Sequence, residues 1–258
     1  MPTWTSYVLL LAVLGLFGVH LAVPATRAWV WKVLAVLGVG GVVSGSYLAL
    51  AVAPADHEMG DVYRIMFAHV PEVWMALLAL CVNFGASVAF LFRKDLSLDA
   101  LSEACAEVGL FFGTIGVLLG AIWGRPTWGV WWDWDPRLTT AAIMLVVYSG
   151  YLALRKFVDD PEKRATWSAV VGIIAASDLP ILWFSVRWWR SLHQRQSGAG
   201  KMDPTIWSIL MWNTAALMAL TIVFAYQRYR IAQATRAREV ALPSALPPDS
   251  GDVPSEAA

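Results

Sequence analysis

Charge is scarce in this chain, and cysteine and histidine scarcer still. Only 15% of its 258 residues are Asp, Glu, Lys or Arg, and the 19 basic and 19 acidic side chains cancel to a net charge of zero. With no global field and no basic run, nothing on the chain draws a nucleic acid backbone onto it. The two cysteines, Cys81 and Cys105, lie in or beside apolar segments without C-x-x-C or C-x-x-C-H spacing. Disulfide chemistry and thioether attachment of a c-type haem are thereby excluded. What the chain has instead is apolar surface: 58% hydrophobic residues, a mean hydropathy of +0.58 and 15 tryptophans. A soluble domain of this length cannot bury so much, and the composition is that of an all-α polytopic membrane protein.

Residues 4–23 are long enough to cross a hydrocarbon core of about 30 Å, and no Lys or Arg precedes them as in a signal peptide. They read as a retained helix, with His20 near its end at the membrane interface. A second span covers 28–53, and further spans are expected at about 71–92, 106–123, 138–154, 167–186 and 206–226. Between them, Met59, Val62, Tyr63, Met66, Phe67 and Val70 recur at helical spacing and predict an amphipathic helix lying on the membrane, with His69 at its end. The chain divides into an N-terminal apolar segment 1–27, a membrane domain 28–230, and a cytoplasmic disordered tail 231–258, rich from about 241 on in Pro, Ser and acid.

Counting Lys and Arg orients these spans. With the first terminus outside, twelve basic residues fall inside, and Arg64, Arg125, Arg137, Arg187, Arg190, Arg195 and Lys201 fall outside. His57, His69 and His193 then share the outer face with the stretch 123–139. That stretch holds Trp123, Trp128, Trp131, Trp132 and Trp134, interleaved with Arg125, Asp133, Asp135 and Arg137. Gly124, Pro126, Gly129 and Pro136 argue against a long regular helix there, so a flat aromatic shelf at the bilayer surface is expected. A third loop adds Arg187, Trp188, Trp189, Arg190 and His193; if the preceding helix continues, Trp189 and His193 share a face. Indole faces, two or three imidazoles and several guanidinium groups together suit a flat apolar macrocycle with an axial metal site and acidic side groups, namely haem.

The residues W128-G-x-W-W-x-W-D-x-R-L-T139 resemble the WWD signature of haem-handling membrane proteins. APAD at 53–56, YRI-x-x-x-HVP at 63–71, WG-x-P at 123–126 and SV-x-WW-x-x-LHQ at 185–194 extend the resemblance to the C protein of the cytochrome c maturation system, over about residues 28–230. The resemblance implies six transmembrane helices, a seventh being possible here through residues 4–23, which fall outside the pattern. It also implies non-covalent haem b at a periplasmic site in the bacterial inner membrane. His69 and His193 are the implied axial ligands, with the WWD loop holding the ring. Arg125, Arg187 and Arg190 are the available partners for haem propionates, while Asp135 and Arg137 fix the loop. The implied partners are a periplasmic haem chaperone, the ATPase and permease of an ABC transporter, and a small single-span subunit. The protein so described is a carrier and not an enzyme. Two rivals are an intramembrane b-type electron-transfer subunit, which needs paired histidines inside the spans, and a haem permease, which needs polar groups at depth, where Asp178 is the strong candidate.

Overall fold

Aspartates start three of the helices. Asp95, Asp135 and Asp160 each accept a backbone N–H from the first turn, from Ser97 at 2.8 Å, Leu138 at 2.8 Å and Lys163 at 2.7 Å. Pro136 and Pro161 follow two of these caps at the first helical position, where no N–H is needed. The structure, a computed structural model, describes residues 4–194 and 202–245. Its helices are α1 (Trp4–Ala22), α2 (Val30–Tyr47, prolonged by a π turn Leu48–Val52), α3 (Met66–Arg93), α4 (Leu96–Trp128), α5 (Pro136–Phe157), α6 (Pro161–Ala176), α7 (Asp178–Trp188) and α8 (Pro204–Ala245). Among the described residues the only β feature is one isolated bridge, Asp56 to Gly60.

Seven of the described helical stretches are long and apolar enough to cross a membrane, with α6 and α7 forming one span broken at Ser177. The chain is an all-α polytopic membrane protein. Residues 4–22 are the first of the seven. Several local expectations are corrected. No separate surface helix precedes α3, because a 3-10 turn at Val62–Ile65 runs straight into it. His69 therefore stands in the first turns of a span and not in a loop. α4 passes through Gly124 and Pro126 and stops only at Gly129, whose φ of +80° takes the left-handed cap that glycine supplies. The non-helical part of the tryptophan stretch shrinks to residues 129–135. α7 ends at Trp188 and Trp189 is extended, so Trp189 and His193 share no helix face. The last helix continues to Ala245, so 231–245 is helical and not a disordered tail. The expectations for Arg195, Lys201 and residues 246–258 lie outside the described residues. His20 is buried against Tyr226, ring to ring at 4.8 Å, instead of facing the interface.

α8 is central, packing against α1, α2, α3 and α4, and α3 pairs closely with α4. Glycines permit these approaches. A Cβ on Gly41 would come within 2.7 Å of Ala216 Cβ, and one on Gly38 within 2.6 Å of Leu220 Cδ2. Small residues that let backbones meet are the usual means of helix association in lipid, where apolar burial alone gives no preference. At the end opposite the tryptophans, Arg155 donates to both oxygens of Asp99 at 2.8 Å, and Arg236 donates to Asp99 and to Glu103, tying α4, α5 and α8 together. Asp99 is 3% exposed, so removing its carboxylate leaves two buried cations to share the single carboxylate of Glu103. Asp99→Ala is predicted to cost about 3–5 kcal/mol, read as a lowered melting temperature of the detergent-solubilised protein; an unchanged melting curve contradicts the assignment.

Candidate functional site

Five glycines recur along α4 at Gly109, Gly113, Gly116, Gly120 and Gly124, three or four apart, and so lie on one helix face. Towards the tryptophan end this face recedes and leaves a cleft between α3, α4, α5 and the segment after α7. The empty space in it, counted out through the open mouth into solvent, is about 980 Å³. His69 enters it from α3, passing close over the stripe: a Cβ on Gly120 would stand 3.1 Å from His69 Cε1. Trp123 and Trp128 line it from the end of α4, Trp131 and Trp132 from the loop, Arg137 from the first turn of α5, and His193 from the segment beyond α7.

Both imidazoles are held in one tautomer. His69 Nδ1 lies 2.9 Å from the Gly116 carbonyl and His193 Nδ1 lies 2.9 Å from the Gln194 carbonyl. A carbonyl only accepts, so each Nδ1 carries the proton and each Nε2 keeps its lone pair. Among the described residues neither Nε2 has a hydrogen-bond partner. This is the arrangement in which histidine binds a metal, the second nitrogen being oriented by a backbone acceptor.

His193 is on no helix, and its position depends on Asp135. One oxygen of that carboxylate caps α5. The other accepts from Ser191 Oγ at 2.5 Å and from Leu192 N at 2.9 Å, while Ser191 Oγ in turn accepts from His193 N at 3.0 Å. Burial works against the charge on Asp135, but these three hydrogen bonds and the nearby His193 hold its pKa below the ordinary carboxylate value. Arg137 is 7% exposed, yet its only hydrogen bond among the described residues is to the Leu182 carbonyl at 3.4 Å, and it has no ion pair there. The indole Nε1 atoms of Trp123 and Trp132 are also buried without a partner among the described residues. A cation and two N–H donors left unsatisfied around an apolar cleft are costly unless a ligand with acceptor groups meets them.

The sequence comparisons bear on what that ligand is. The family model described as Heme exporter protein C matches residues 10–242. The chain belongs to this family. It is 38% identical over 178 residues to Heme exporter protein C of Bradyrhizobium diazoefficiens, covering 67% of this chain and 66% of that protein. Against Heme exporter protein C of Escherichia coli K12 it is 31% identical over 204 residues, 78% of this chain and 83% of that protein. A putative cytochrome c biosynthesis ccmC-like mitochondrial protein of Marchantia polymorpha is 38% identical over 151 residues, 58% of this chain and 64% of that protein. The matches thus span just under two thirds of the Bradyrhizobium and Marchantia proteins. The family match begins within α1, so most of that helix lies inside the family's extent and is not an addition ahead of it.

Of the residues singled out in the sequence, His69, His193, Trp123, Trp128, Trp131, Trp132 and Arg137 come together in the cleft. Asp135 stands behind it as the tie just described. The others do not line it. Trp134 is 74% exposed and packs edge-on against Trp132. Trp188 and Trp189 are exposed, Arg125 is spent on the Gly129 carbonyl, Arg187 lies over Phe184, and Arg190 is exposed. His57 is exposed in the turn between α2 and α3, away from the cleft. The sequence reading missed the wall-forming Gly116, Gly120, Met144 and Leu182, and Gln194, whose carbonyl orients His193. The glycine spacing on α4 was the signal for the first two.

Desolvation first and the Arg137 cation second pull the His193 imidazole from 6.5 down to about 4. A lowered pKa means the unfolded chain takes up the proton first. The neutral ring is therefore the folded form at neutral pH, and the stability linked to it is lost as pH falls from about 6.5 towards 4. An NMR titration of His193 in the ligand-free protein is predicted to leave the ring neutral at pH 5.5; a midpoint near 6.5 contradicts this.

Proposed function

We propose that this protein binds one haem b between His69 Nε2 and His193 Nε2 and hands it to a periplasmic haem chaperone during cytochrome c maturation. The observation that carries the reading is the pair of imidazoles, set in the same tautomer with free Nε2 atoms, at one apolar cleft. Membership of a family named for haem export supports it. Haem, when bound, would supply an iron that takes nitrogen ligands, a flat apolar ring and two carboxylates. The chain has a group for each. His69 Nε2 and His193 Nε2 would hold the iron. Trp128, which packs at 6.1 Å from the His193 ring, and Trp123, 5.9 Å from the His69 ring, give apolar faces beside both ligands.

The propionate partner changes from the one expected. Arg125 and Arg187 are engaged elsewhere and Arg190 is exposed outside the cleft lining, whereas Arg137 is buried at the cleft with four of its five N–H donors uncommitted among the described residues, and its planar fork fits a carboxylate in two parallel hydrogen bonds. The indole N–H groups of Trp123 and Trp132 are further donors. Trp131, 60% exposed at the mouth, leaves a face for a partner protein to approach. Delivery requires such a face, because a ligand sealed among helices is kept and not passed on. In this reading the protein is the haem-presenting member of an assembly. An ABC transporter's ATPase and permease and a small single-span subunit complete it, in the bacterial inner membrane, with the cleft towards the periplasm. The excess of Lys and Arg at the opposite end of the bundle supports that orientation.

The test is the visible spectrum of haem-loaded variants. His69→Ala and His193→Ala are each predicted to abolish the six-coordinate bis-imidazole bands, and His57→Ala to leave them intact. Arg137→Gln is predicted to keep the bands but weaken haem binding by about 10- to 100-fold, the worth of a charge-assisted hydrogen bond at roughly 1.5–3 kcal/mol. Normal bands in His193→Ala overturn the ligand assignment. Unchanged affinity in Arg137→Gln overturns the propionate partner.

A further inference from the structure

A second cavity opens beside the first, on the lipid-facing side of the bundle. It is a groove between α3 and α7, bounded by Trp74, Leu78 and Cys81 on one side and Pro180, Trp183 and Phe184 on the other. Leu77 lines both this groove and the cleft of the two histidines. Val73 and Leu182 face the cleft, while their sequence neighbours Trp74 and Trp183 face the groove. A partition one side chain thick is therefore all that divides bilayer from site. The seam itself is loose, since α7 packs on α5 and α6 and makes at most marginal contact with α3. α7 is also a short separate rod of 11 residues, joined to α6 through the break at Ser177, where Asp178 Oδ2 is buried without a partner among the described residues. At about 1.5 Å per residue, the groove runs from roughly 7 to 18 Å below His69 along α3, within the hydrocarbon core and not at its surface.

We propose that this seam is the side entrance through which haem passes from the lipid into the cleft. The proposal rests on the cleft being the haem site. The occupant follows from what the groove offers: two indoles and a phenyl ring, no charged side chain on its wall, and only the Leu77 partition between it and a cavity whose polar donors all lie at the far end. A macrocycle dissolved in lipid can enter with its apolar edge leading. It displaces Leu77 and reaches Arg137 and the imidazoles without its ring crossing water. An aqueous ligand gains nothing from such a route.

Two substitutions fill the groove from positions that do not line the cleft, Cys81→Trp and Leu78→Trp. The full chain is reconstituted in phosphatidylcholine vesicles, haem is added so that it first dissolves in the same bilayers, and the growth of the bis-imidazole bands is followed by stopped flow. Both variants are expected to load about tenfold more slowly than the unaltered chain while reaching the same final amplitude, as for a raised entrance barrier with an intact site. Loading at the unaltered rate in both variants overturns the entrance, and is the result expected if a lipid chain or a partner's helix fills the groove instead. A variant that loses final amplitude as well also overturns it, since the groove then shapes the site. Absence of the bands in the unaltered chain overturns the haem site, and the entrance with it.

Discussion

The carboxylate of Asp135 is the joint on which the site depends. One oxygen fixes where α5 begins, and so where Arg137, two residues on, meets the cleft. The other oxygen gathers Ser191 and Leu192, and so fixes the segment bearing His193. A helix start and a loop that are 56 residues apart in sequence become one rigid unit. No other hydrogen bond between side chains and backbone joins His193 to a span among the described residues. The aspartate of the signature is therefore a spacer between Arg137 and His193, set at the only polar junction between them among the described residues.

A comparable economy shapes the opposite wall. His69 reaches the cleft because α4 offers only a hydrogen atom where a side chain would otherwise stand, at Gly120, while Gly116 leaves room for Val73 of α3. The Gly116 carbonyl is the group that orients the imidazole. The proposed ligand pair is mixed: one histidine in a span, stiff with the helix, and one on a tethered segment. A rigid ligand sets the position of a bound ring, and a tethered one can yield when a partner takes the ring away. Neither an intramembrane electron carrier nor a sealed binding protein has need of that asymmetry.

Much of this was legible in the sequence. Long apolar runs mark membrane helices because lipid leaves backbone polar groups no partner but their own helix, and the spans were placed accordingly. Tryptophan, arginine and histidine in three separated segments marked one site, and seven of the singled-out residues converge there. What went astray did so for local reasons. Pro126 was read as a stop, but a span in lipid tolerates a proline near its end, and the helix runs three residues further to the glycine that has the needed positive φ. The surface helix before α3 was inferred from a 3.6-residue period that continues unbroken into the span. The sequence places Arg125, Arg187 and Arg190 in outer loops and suggests them as propionate partners; burial at the cleft, which periodicity along α5 alone does not report, makes Arg137 the proposed partner instead.

The central claim is that two neutral imidazoles from this chain hold one iron between them. Electron paramagnetic resonance of the ferric, haem-loaded protein tests it most directly. Two neutral imidazole ligands give a low-spin rhombic signal, and the account predicts that signal alone at neutral pH. A high-spin axial signal, as from a single histidine or a weak oxygen ligand, would contradict it.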